Sequence, residues 1–383
     1  MIVLLVCDVL GERNNGTTIA AFNLKESLEA KGHEVRVLCG DEYRIGQPGF
    51  YIVKNLNLGN FLNKYVAKNG VALAKNDKDV IEKAMDGVDI IHCMMAFTLG
   101  HHATLMARET GIPVSAGFHC QAENFTAHVF MMNSHFVNWL TYRFFYKRMY
   151  KYCDCIHYPS QFICDLFEKI VGPTNHYVIS NGVDVQFKKI DVKKEDDGLF
   201  RILFIGRYSK EKKHKTLIKA VSLSKHKDKI QLLFAGSGPL NDKLHKYAKK
   251  KLPIQPIFKF YSRDELVDVI NKCDLYCHPS IIEIEAVSCL EAISCGLVPV
   301  ICNSPRCATK AFALTDKNLY KCNNAKDLAR KIDYWFEHPK EKEELSKKYC
   351  GYASEFEFHK CMDKMEAMLK ETIEKKKNEK EKA

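Results

Sequence analysis

Two acidic residues, Glu283 and Glu291, stand eight positions apart in the stretch from Ser280 to Cys302. The pattern predicts that the first lies in a loop and the second in a short helix, which ends at Gly296 before an apolar run. Carboxylates accept hydrogen bonds from hydroxyl groups, and the N-terminus of a helix attracts phosphate. The stretch is therefore suited to hold a sugar and a ribose on either side of a diphosphate.

This stretch resembles the Glu-seven-residues-Glu signature of the retaining GT-B glycosyltransferases of family 4. In that family the first Glu contacts the donor sugar and the second contacts the nucleotide ribose, so the resemblance implies these roles for Glu283 and Glu291. The family usually continues from the first Glu with Gly-Phe-Gly, whereas this chain has Ile284-Glu285-Ala286. The alternative is an ordinary loop and helix with exposed acids.

Two loops earlier in the chain extend the resemblance. The run from Gly206 to Lys213 follows a predicted strand and is similar to a basic loop of the family, which implies that Arg207 and Lys212 face the diphosphate. Fixed cations at these positions stabilise the negative charge that a leaving diphosphate gains. The run Gly236-Ser237-Gly238 also resembles the family, and its glycines allow backbone to approach a nucleotide closely. The alternative for any single lysine in the loop from Gly206 to Lys213 is a solvated surface residue.

The first half of the chain supplies two further candidates. Gly16 lies in the loop predicted between a strand at 2–6 and a helix at 19–31, and in the family this loop lies over the donor site. His119 follows a strand predicted from residue 111 onward, at the strand end where α/β sheets place ligands. The family carries a His there that reaches the donor sugar. The alternatives are that His119 is a structural residue and that Gly16 only permits a tight turn.

A helix predicted over 136–152 combines aromatic and basic residues. Trp139, Tyr142, Tyr146 and Met149 fall on one predicted side, and the other carries a basic set of Arg143, Lys147, Arg148 and Lys151. Aromatic rings beside a basic face suit an anionic membrane surface. A helix packed on the sheet with a solvated basic face explains the pattern equally well.

Composition limits the classes of protein. The 383 residues suffice for two domains, and the formal net charge of +11 favours anionic partners such as nucleotides, nucleic acid or a membrane surface. No apolar run is long enough to span a bilayer, and the apolar start lacks the features of a signal peptide. The 16 scattered cysteines favour reduced thiols in a cytoplasmic protein, without a structural metal.

Strand-like runs alternate with helix-length segments, which predicts an α/β fold of parallel sheets. The resemblance implies GT-B architecture, with two Rossmann-like domains facing a central cleft. We expect an acceptor-side domain over 1–188, a nucleotide-sugar-binding domain over 200–345, and a helix that returns to the first domain, plus a charged tail, over 346–383.

The amino-acid sequence from Glu285 to Gly296 is most similar to that of bacterial diacylglycerol glucosyltransferases. The resemblance implies transfer of a hexose from a nucleotide sugar, such as UDP-glucose, to a membrane glycolipid or diacylglycerol, with retained configuration and without metal or other cofactor. The protein would then be peripheral on the inner face of the membrane. Alternatives are a transferase that builds capsular or other surface polysaccharide, and a basic, non-catalytic protein that binds nucleic acid or membrane. The second lacks a recognised nucleic-acid-binding module.

Overall fold

The alternation of strands and helices produces two separate parallel sheets. The computed structural model describes residues 1–8, 10–11, 16–56, 74–127 and 131–382. It divides into one unit of Met1–Asn181 with Cys361–Ala383, and a second of Gly182–Lys360. Each unit has its own sheet flanked by helices, as expected for an α/β chain of this length.

The first unit has a seven-stranded parallel sheet in the order β3-β2-β1-β4-β5-β6-β7. Its strands are β1 (Ile2–Val6), β2 (Glu34–Cys39), β3 (Phe50–Ile52), β4 (Ile90–Cys93), β5 (Val114–Gly117), β6 (Cys155–Tyr158) and β7 (His176–Val178). Its helices are α1 (Gly16–Ala30), α2 (Lys78–Met85), α3 (Thr98–Thr110), α4 (Ala122–Ala127), α5 (His135–Arg148) and α6 (Gln161–Val171).

The second unit has a six-stranded parallel sheet in the order β10-β9-β8-β11-β12-β13. Its strands are β8 (Phe200–Ile205), β9 (Ile230–Ala235), β10 (Ile257–Lys259), β11 (Leu275–His278), β12 (Pro299–Asn303) and β13 (Leu319–Lys321). Its helices are α7 (His214–Leu223), α8 (Asn241–Lys251), α9 (Arg263–Lys272), α10 (Val287–Ser294), α11 (Ala325–Glu337) and α12 (Pro339–Ala353).

The order of the second sheet decides which loops meet. β8 pairs with β9 on one side and with β11 on the other, all in parallel. The loops that follow these three strands therefore leave the same edge of the sheet side by side. These are the loops that carry Arg207, Gly236 and Glu283, although the three residues are far apart in sequence.

The chain returns to the first unit in its last helix, α13 (Phe358–Lys382), as expected. The hydroxyl of Thr372 lies 3.1 Å from the Cys155 sulfur, and the Tyr177 hydroxyl donates to Glu371 at 2.6 Å. The helical region is interrupted by a short 3₁₀ turn at Ser354–Phe356, and the charged tail continues as helix to Lys382. Packing of its first turns on the sheet explains why a sequence so rich in Lys and Glu remains helical.

All sixteen cysteines are free thiols. Within the described ranges, every helix is too short or too polar to span a bilayer.

The first helix begins at Gly16, three positions before the predicted start at residue 19. The remainder of the predicted loop, residues 12–15, lies outside the described residues.

Candidate active site

Two glycine-containing loops of the second unit interlock through their backbones. The amide of Tyr208 donates to the carbonyl of Ser237 at 2.8 Å, and the Tyr208 carbonyl accepts from the amide of Leu240 at 3.1 Å. A side chain at Gly236 would place its Cβ 2.1 Å from the carbonyl oxygen of Gly206. Such close approach is possible only without a Cβ.

Gly238 also has no room for a Cβ, because it packs against the backbone of Tyr208. A Cβ there would lie 2.6 Å from the Tyr208 nitrogen, and the residue has φ of +156°, which side chains rarely adopt. Tyr208 is fully buried and its hydroxyl donates to the carbonyl of Phe234 at 2.7 Å. This buried anchor fixes the loop while the adjacent Arg207 remains exposed, so that its guanidinium is available to a ligand.

Lys212 and Glu283 form an ion pair across the two loops. The same carboxylate oxygen, Oε1 of Glu283, lies 3.2 Å from Nε2 of His278. Nδ1 of His278 in turn lies 3.1 Å from the Tyr276 hydroxyl. A neutral imidazole that accepts from Tyr276 through Nδ1 carries its proton on Nε2 and donates it to Glu283. One oxygen of Glu283 thus has two partners within the protein.

The electrostatics keep this acid ionised. Burial by itself raises the pKa of Glu283, but the charge of Lys212 and the hydrogen bond from His278 bring the pKa down to about 2. Burial lowers the pKa of Lys212, yet the charge and hydrogen bond of Glu283 raise it overall. Burial also lowers the pKa of His278, which remains neutral. The site therefore presents a fixed carboxylate beside a fixed ammonium, suited to hydroxyl and phosphate groups respectively.

The backbone around Glu283 is fixed on one side and strained on the other. Its amide lies 3.3 Å from the carbonyl of Arg306, and its own carbonyl accepts from Ala308 at 2.9 Å. Three residues later, Ala286 has φ of +67° and ψ of +68°, a left-handed conformation that costs roughly 1–2 kcal/mol for a residue other than glycine. This is the position where the family pattern has the second glycine of Gly-Phe-Gly, so the loop keeps the conformation without the residue that favours it.

Helix α10 begins at once after Ala286. Ala286 makes no side-chain cap, and of the first-turn amides that of Cys289 donates to the Ala286 carbonyl at 2.9 Å. The start of the helix, with its partial positive charge, is therefore not capped by a side chain of Ala286. At the other end, Gly296 donates to Ile293 at 2.9 Å and Leu297 to Ala292 at 3.1 Å, which together form the predicted glycine cap. The helix is thereby fixed at its C-terminal end and open at the end that faces the Glu283 loop.

Glu291 lies within this helix but belongs to a different set of contacts from Glu283. It is buried, and its Oε1 pairs with NH1 of Arg263 at 3.2 Å. Burial raises the pKa of Glu291 to about 7, against the lowering effect of Arg263. The second acid is therefore neither an exposed surface residue nor a partner of Lys212.

His119 of the first unit lies just past the end of β5 among other imidazoles. Its ring packs edge-on against His157, with centroids 5.6 Å apart. A Cβ at Gly117 would come 2.5 Å from its Nε2, so the glycine makes room for the ring. Burial, followed by the nearby His157 and His92, lowers the pKa of His119 well below its ordinary value. It is thus a neutral hydrogen-bonding group and not a cation.

Gly16 is the first residue of α1 and is exposed. A Cβ on it would meet no atom of the described part of the chain within 4 Å. Its local packing therefore does not require glycine, and its assignment to the donor site stays a prediction.

Helix α5 differs from the predicted two-sided arrangement. Tyr142 and Met149 are buried, but Trp139 is 39% exposed and lies under the guanidinium of Arg143, 5.0 Å from its ring. The assignment of Trp139 to the side opposite the basic residues was wrong, because residues four positions apart in a helix, such as Trp139 and Arg143, lie on the same face. The helix also ends at Arg148, with Lys151 in the 3₁₀ turn that follows.

Large apolar side chains are concentrated on this surface. Of the fourteen exposed ones among the described residues, six fall between residues 125 and 144: Phe125, Met131, Phe136, Trp139, Leu140 and Phe144. Apolar residues grouped in this way mark a surface that contacts protein or membrane. We call these six residues, with the basic set of Arg143, Lys147, Arg148 and Lys151, the α5 surface.

One group of potential metal ligands occurs among the described residues. Donor atoms of Cys164, Glu168 and His176 lie within 4.8 Å of one another. Oε1 of Glu168 already accepts from Thr174 at 2.6 Å and lies 2.7 Å from Nδ1 of His176. These hydrogen bonds explain the grouping without a metal ion.

Two family models match consecutive parts of the chain. The model described as Glycosyltransferase Family 4 matches residues 14–187, and that described as Glycosyl transferases group 1 matches residues 185–349. The chain belongs to the GT-B glycosyltransferases. The loops built around Gly206, Gly236 and Glu283 all lie within the second match, so the candidate site falls within a glycosyltransferase domain.

Among curated proteins, the GT-B chain is similar to two enzymes of one name, Alpha-monoglucosyldiacylglycerol synthase. That from Streptococcus pneumoniae is 24% identical over 78% of this chain and 70% of its own length. That from Acholeplasma laidlawii is 22% identical over 87% of each chain.

Solved structures confirm the GT-B fold. HepE from Anabaena, in complex with UDP and glucose, covers 97% of this chain and all of its own at 16% identity, with a TM-score of 0.74. The catalytic domain of cholesterol-alpha-glucosyltransferase from Helicobacter pylori is 47% identical over 40% of this chain, with a TM-score of 0.39. That structural similarity is too low to support an inference.

The structure brings together part of the predicted set. Lys212 and Glu283 are in contact, while Gly236 and Gly238 pack on the loop that carries Arg207. Glu291 lies on the helix that follows the Glu283 loop, with Arg263 as its partner.

The sequence reasoning missed His278 and Arg263. His278 stands at the end of β11, where the strand-end rule used for His119 applies equally. Arg263 is a cation in the first turn of a helix, where acids are preferred, and that departure from the usual pattern is a signal that the sequence contains.

Proposed function

We propose that the protein is a retaining, metal-independent hexosyltransferase that moves glucose from UDP-glucose to a membrane glycolipid or diacylglycerol. The observation that carries the proposal is the contact of Lys212 with Glu283 beside the interlocked glycine loops. It sets a cation and a carboxylate at the open N-terminus of α10, an arrangement suited to a sugar diphosphate.

Each residue then has a stated role. Arg207 and Lys212 hold the diphosphate and stabilise its charge as it leaves. Glu283 accepts hydrogen bonds from donor-sugar hydroxyls through the oxygen that does not bind Lys212. Glu291 accepts from the ribose, and neutral His119 hydrogen-bonds to the transferred sugar. The acceptor attacks from the face that the diphosphate leaves, and a donor phosphate oxygen takes its proton, as the family resemblance implies.

The choice of a lipid acceptor rests on two independent supports. Both synthases that match most of this chain carry diacylglycerol in their names. The α5 surface combines exposed aromatic rings with four basic residues, the composition of a helix that lies on an anionic membrane. A peripheral protein could thereby reach an acceptor whose headgroup is at the membrane surface.

The experiment is a matrix of donors and acceptors. Purified protein is mixed with UDP-glucose, UDP-galactose, UDP-N-acetylglucosamine or GDP-mannose and with anionic vesicles. The vesicles contain diacylglycerol, monoglucosyldiacylglycerol, a sterol or a polyprenyl-diphosphate sugar, and products are identified by mass spectrometry and NMR. We expect an α-linked glucolipid from UDP-glucose and a glycerolipid, formed equally well in EDTA.

Other products would correct specific parts of the proposal. Transfer only to the sterol or to the polyprenyl carrier would overturn the acceptor. A β-linked product would overturn retention, and loss of activity in EDTA would overturn metal independence. Absence of transfer with every pair would contradict the enzymatic assignment.

A further inference from the structure

Among the described residues, the cation that pairs with Glu291 is Arg263. Its carboxylate is 7% exposed and lies 3.2 Å from the guanidinium of Arg263, which is 42% exposed. Because Glu291 is in the middle of α10 and that helix is capped at Gly296, its backbone is fixed. The position of the carboxylate therefore depends on its side-chain partner.

Arg263 is itself fixed by contacts that aim it at this acid. Its guanidinium lies over the ring of Phe187 at 5.0 Å, and NH2 is 3.9 Å from Asp184. It is the first residue of α9, between the N-cap Ser262 and Glu265, which together form a capping box. The position of the side chain is thus set by the helix start, an aromatic ring and two acids.

The first position of α9, where Arg263 lies, is unfavourable for a cation when only that helix is considered. The N-terminus of a helix carries partial positive charge and prefers acids, and the next two residues, Asp264 and Glu265, follow that rule. A residue that breaks a local rule while every neighbour obeys it is expected at a functional position. Pairing with buried Glu291 accounts for the exception.

We propose that Arg263 is a positioning residue for nucleotide binding, which favours the charged form of Glu291 and fixes one of its oxygens so that the other accepts the ribose hydroxyls. The inference rests on the proposed function, since it takes Glu291 as the ribose ligand. Arg263 acts through Glu291 and has no contact of its own with the ribose.

The surroundings of Glu291 predict how its charge responds to pH. Within the part of the chain that the structure describes, the groups that face it are Arg263 from α9, Asp184 before β8, the Tyr276 phenol from β11 and the Cys295 thiol at the end of its own helix. Arg263 is the cation among them. Burial raises the pKa of Glu291 to about 7 even with Arg263 present. Removal of Arg263 moves this pKa further up, so that less of the acid is ionised at neutral pH.

The test compares UDP with 2′,3′-dideoxy-UDP by calorimetry between pH 6 and 9. The two nucleotides share their phosphates, so the ratio of their affinities isolates the ribose hydroxyls. For the wild type we expect this ratio to fall about tenfold between pH 8 and pH 6, because the acid is protonated below its pKa. Arg263→Gln should lower the ratio about tenfold at pH 7.5 and regain it as the pH approaches 9. Arg263→Lys, which keeps a cation, should remain near the wild-type profile.

Two outcomes overturn the inference. A purely structural role for Arg263 would weaken both nucleotides equally in Arg263→Gln, with no recovery at high pH. An unchanged ratio in Arg263→Gln would show that Glu291 does not depend on it. Glu291→Gln serves as the separate control: if that variant keeps the wild-type ratio, the ribose assignment fails, and with it this part of the proposed function.

Discussion

Replacement of Lys212 by Met tests the ion pair at the centre of the site. Loss of one partner from a buried pair leaves the other charge uncompensated and costs roughly 3–5 kcal/mol. The side chains of Lys212 and Glu283 are 18% and 12% exposed, so we expect a cost of about 3 kcal/mol, at the lower end. For a domain of this size each kcal/mol corresponds to about 2–4 °C, which predicts a fall in Tm of roughly 6–12 °C for the second unit.

The cost should depend on pH in a defined direction. With Lys212 present, the folded-state pKa of Glu283 is about 2, below its unfolded value of about 4.5. The pair therefore stabilises the fold above about pH 4.5, and this contribution is lost as the pH falls towards 2. Without the lysine, burial raises the pKa of Glu283, and the variant loses stability as the pH rises. The difference in Tm between wild type and Lys212→Met should accordingly be larger at pH 8 than at pH 5.

Scanning calorimetry of four proteins completes the test: wild type, Lys212→Met, Glu283→Gln and the double variant. In the double variant the carboxylate is replaced by an uncharged amide, whose oxygen can still accept from His278. We expect the double variant to be more stable than Lys212→Met, so that the two single effects are not additive. Additive effects, or a Tm difference independent of pH, would refute the buried ion pair.

Further predictions concern the other parts of the account. Arg207→Ala should reduce turnover by about 100-fold or more with Tm unchanged, because Arg207 is exposed; near-normal turnover would remove it from the site. Ala286→Gly should raise stability by about 0.5–1 kcal/mol, since release of left-handed strain exceeds the added chain entropy; a lower Tm would contradict the strain. Changing the basic set to Gln should weaken co-sedimentation with anionic vesicles by at least about 100-fold. A matched change of four exposed lysines on α8 should leave that binding intact: Lys243, Lys246, Lys249 and Lys250. Equal loss of vesicle binding in both variants would show that the basic set of the α5 surface contributes only nonspecific charge.

Local patterns were sufficient to locate most elements of the second unit. The apolar runs before Gly206 and Gly236 form β8 and β9, and Gly296 closes α10 as predicted. These features depend on residues that are close in sequence, such as a buried run followed by glycine. They could be predicted because no distant contact competes with them.

Contacts between distant residues could not be predicted in this way. The pairing of Lys212 with Glu283 depends on β8 lying next to β11, which is a property of the sheet order. The family resemblance supplied roles for both residues but not their contact. The exposure of Trp139 likewise depends on which neighbours cover α5, whereas its contact with Arg143 follows from their spacing of four positions and was misassigned.

The separation of roles between the two acids is the most direct test of the donor site. The measurement is UDP affinity by calorimetry, together with the rate of glucose transfer from UDP-glucose, in Glu283→Gln. We predict UDP affinity within a few-fold of wild type or stronger, because Lys212 is freed for the diphosphate, and transfer reduced by about 100-fold or more. Unimpaired transfer, or loss of UDP binding in parallel with transfer, would contradict the assignment of Glu283 to the donor sugar.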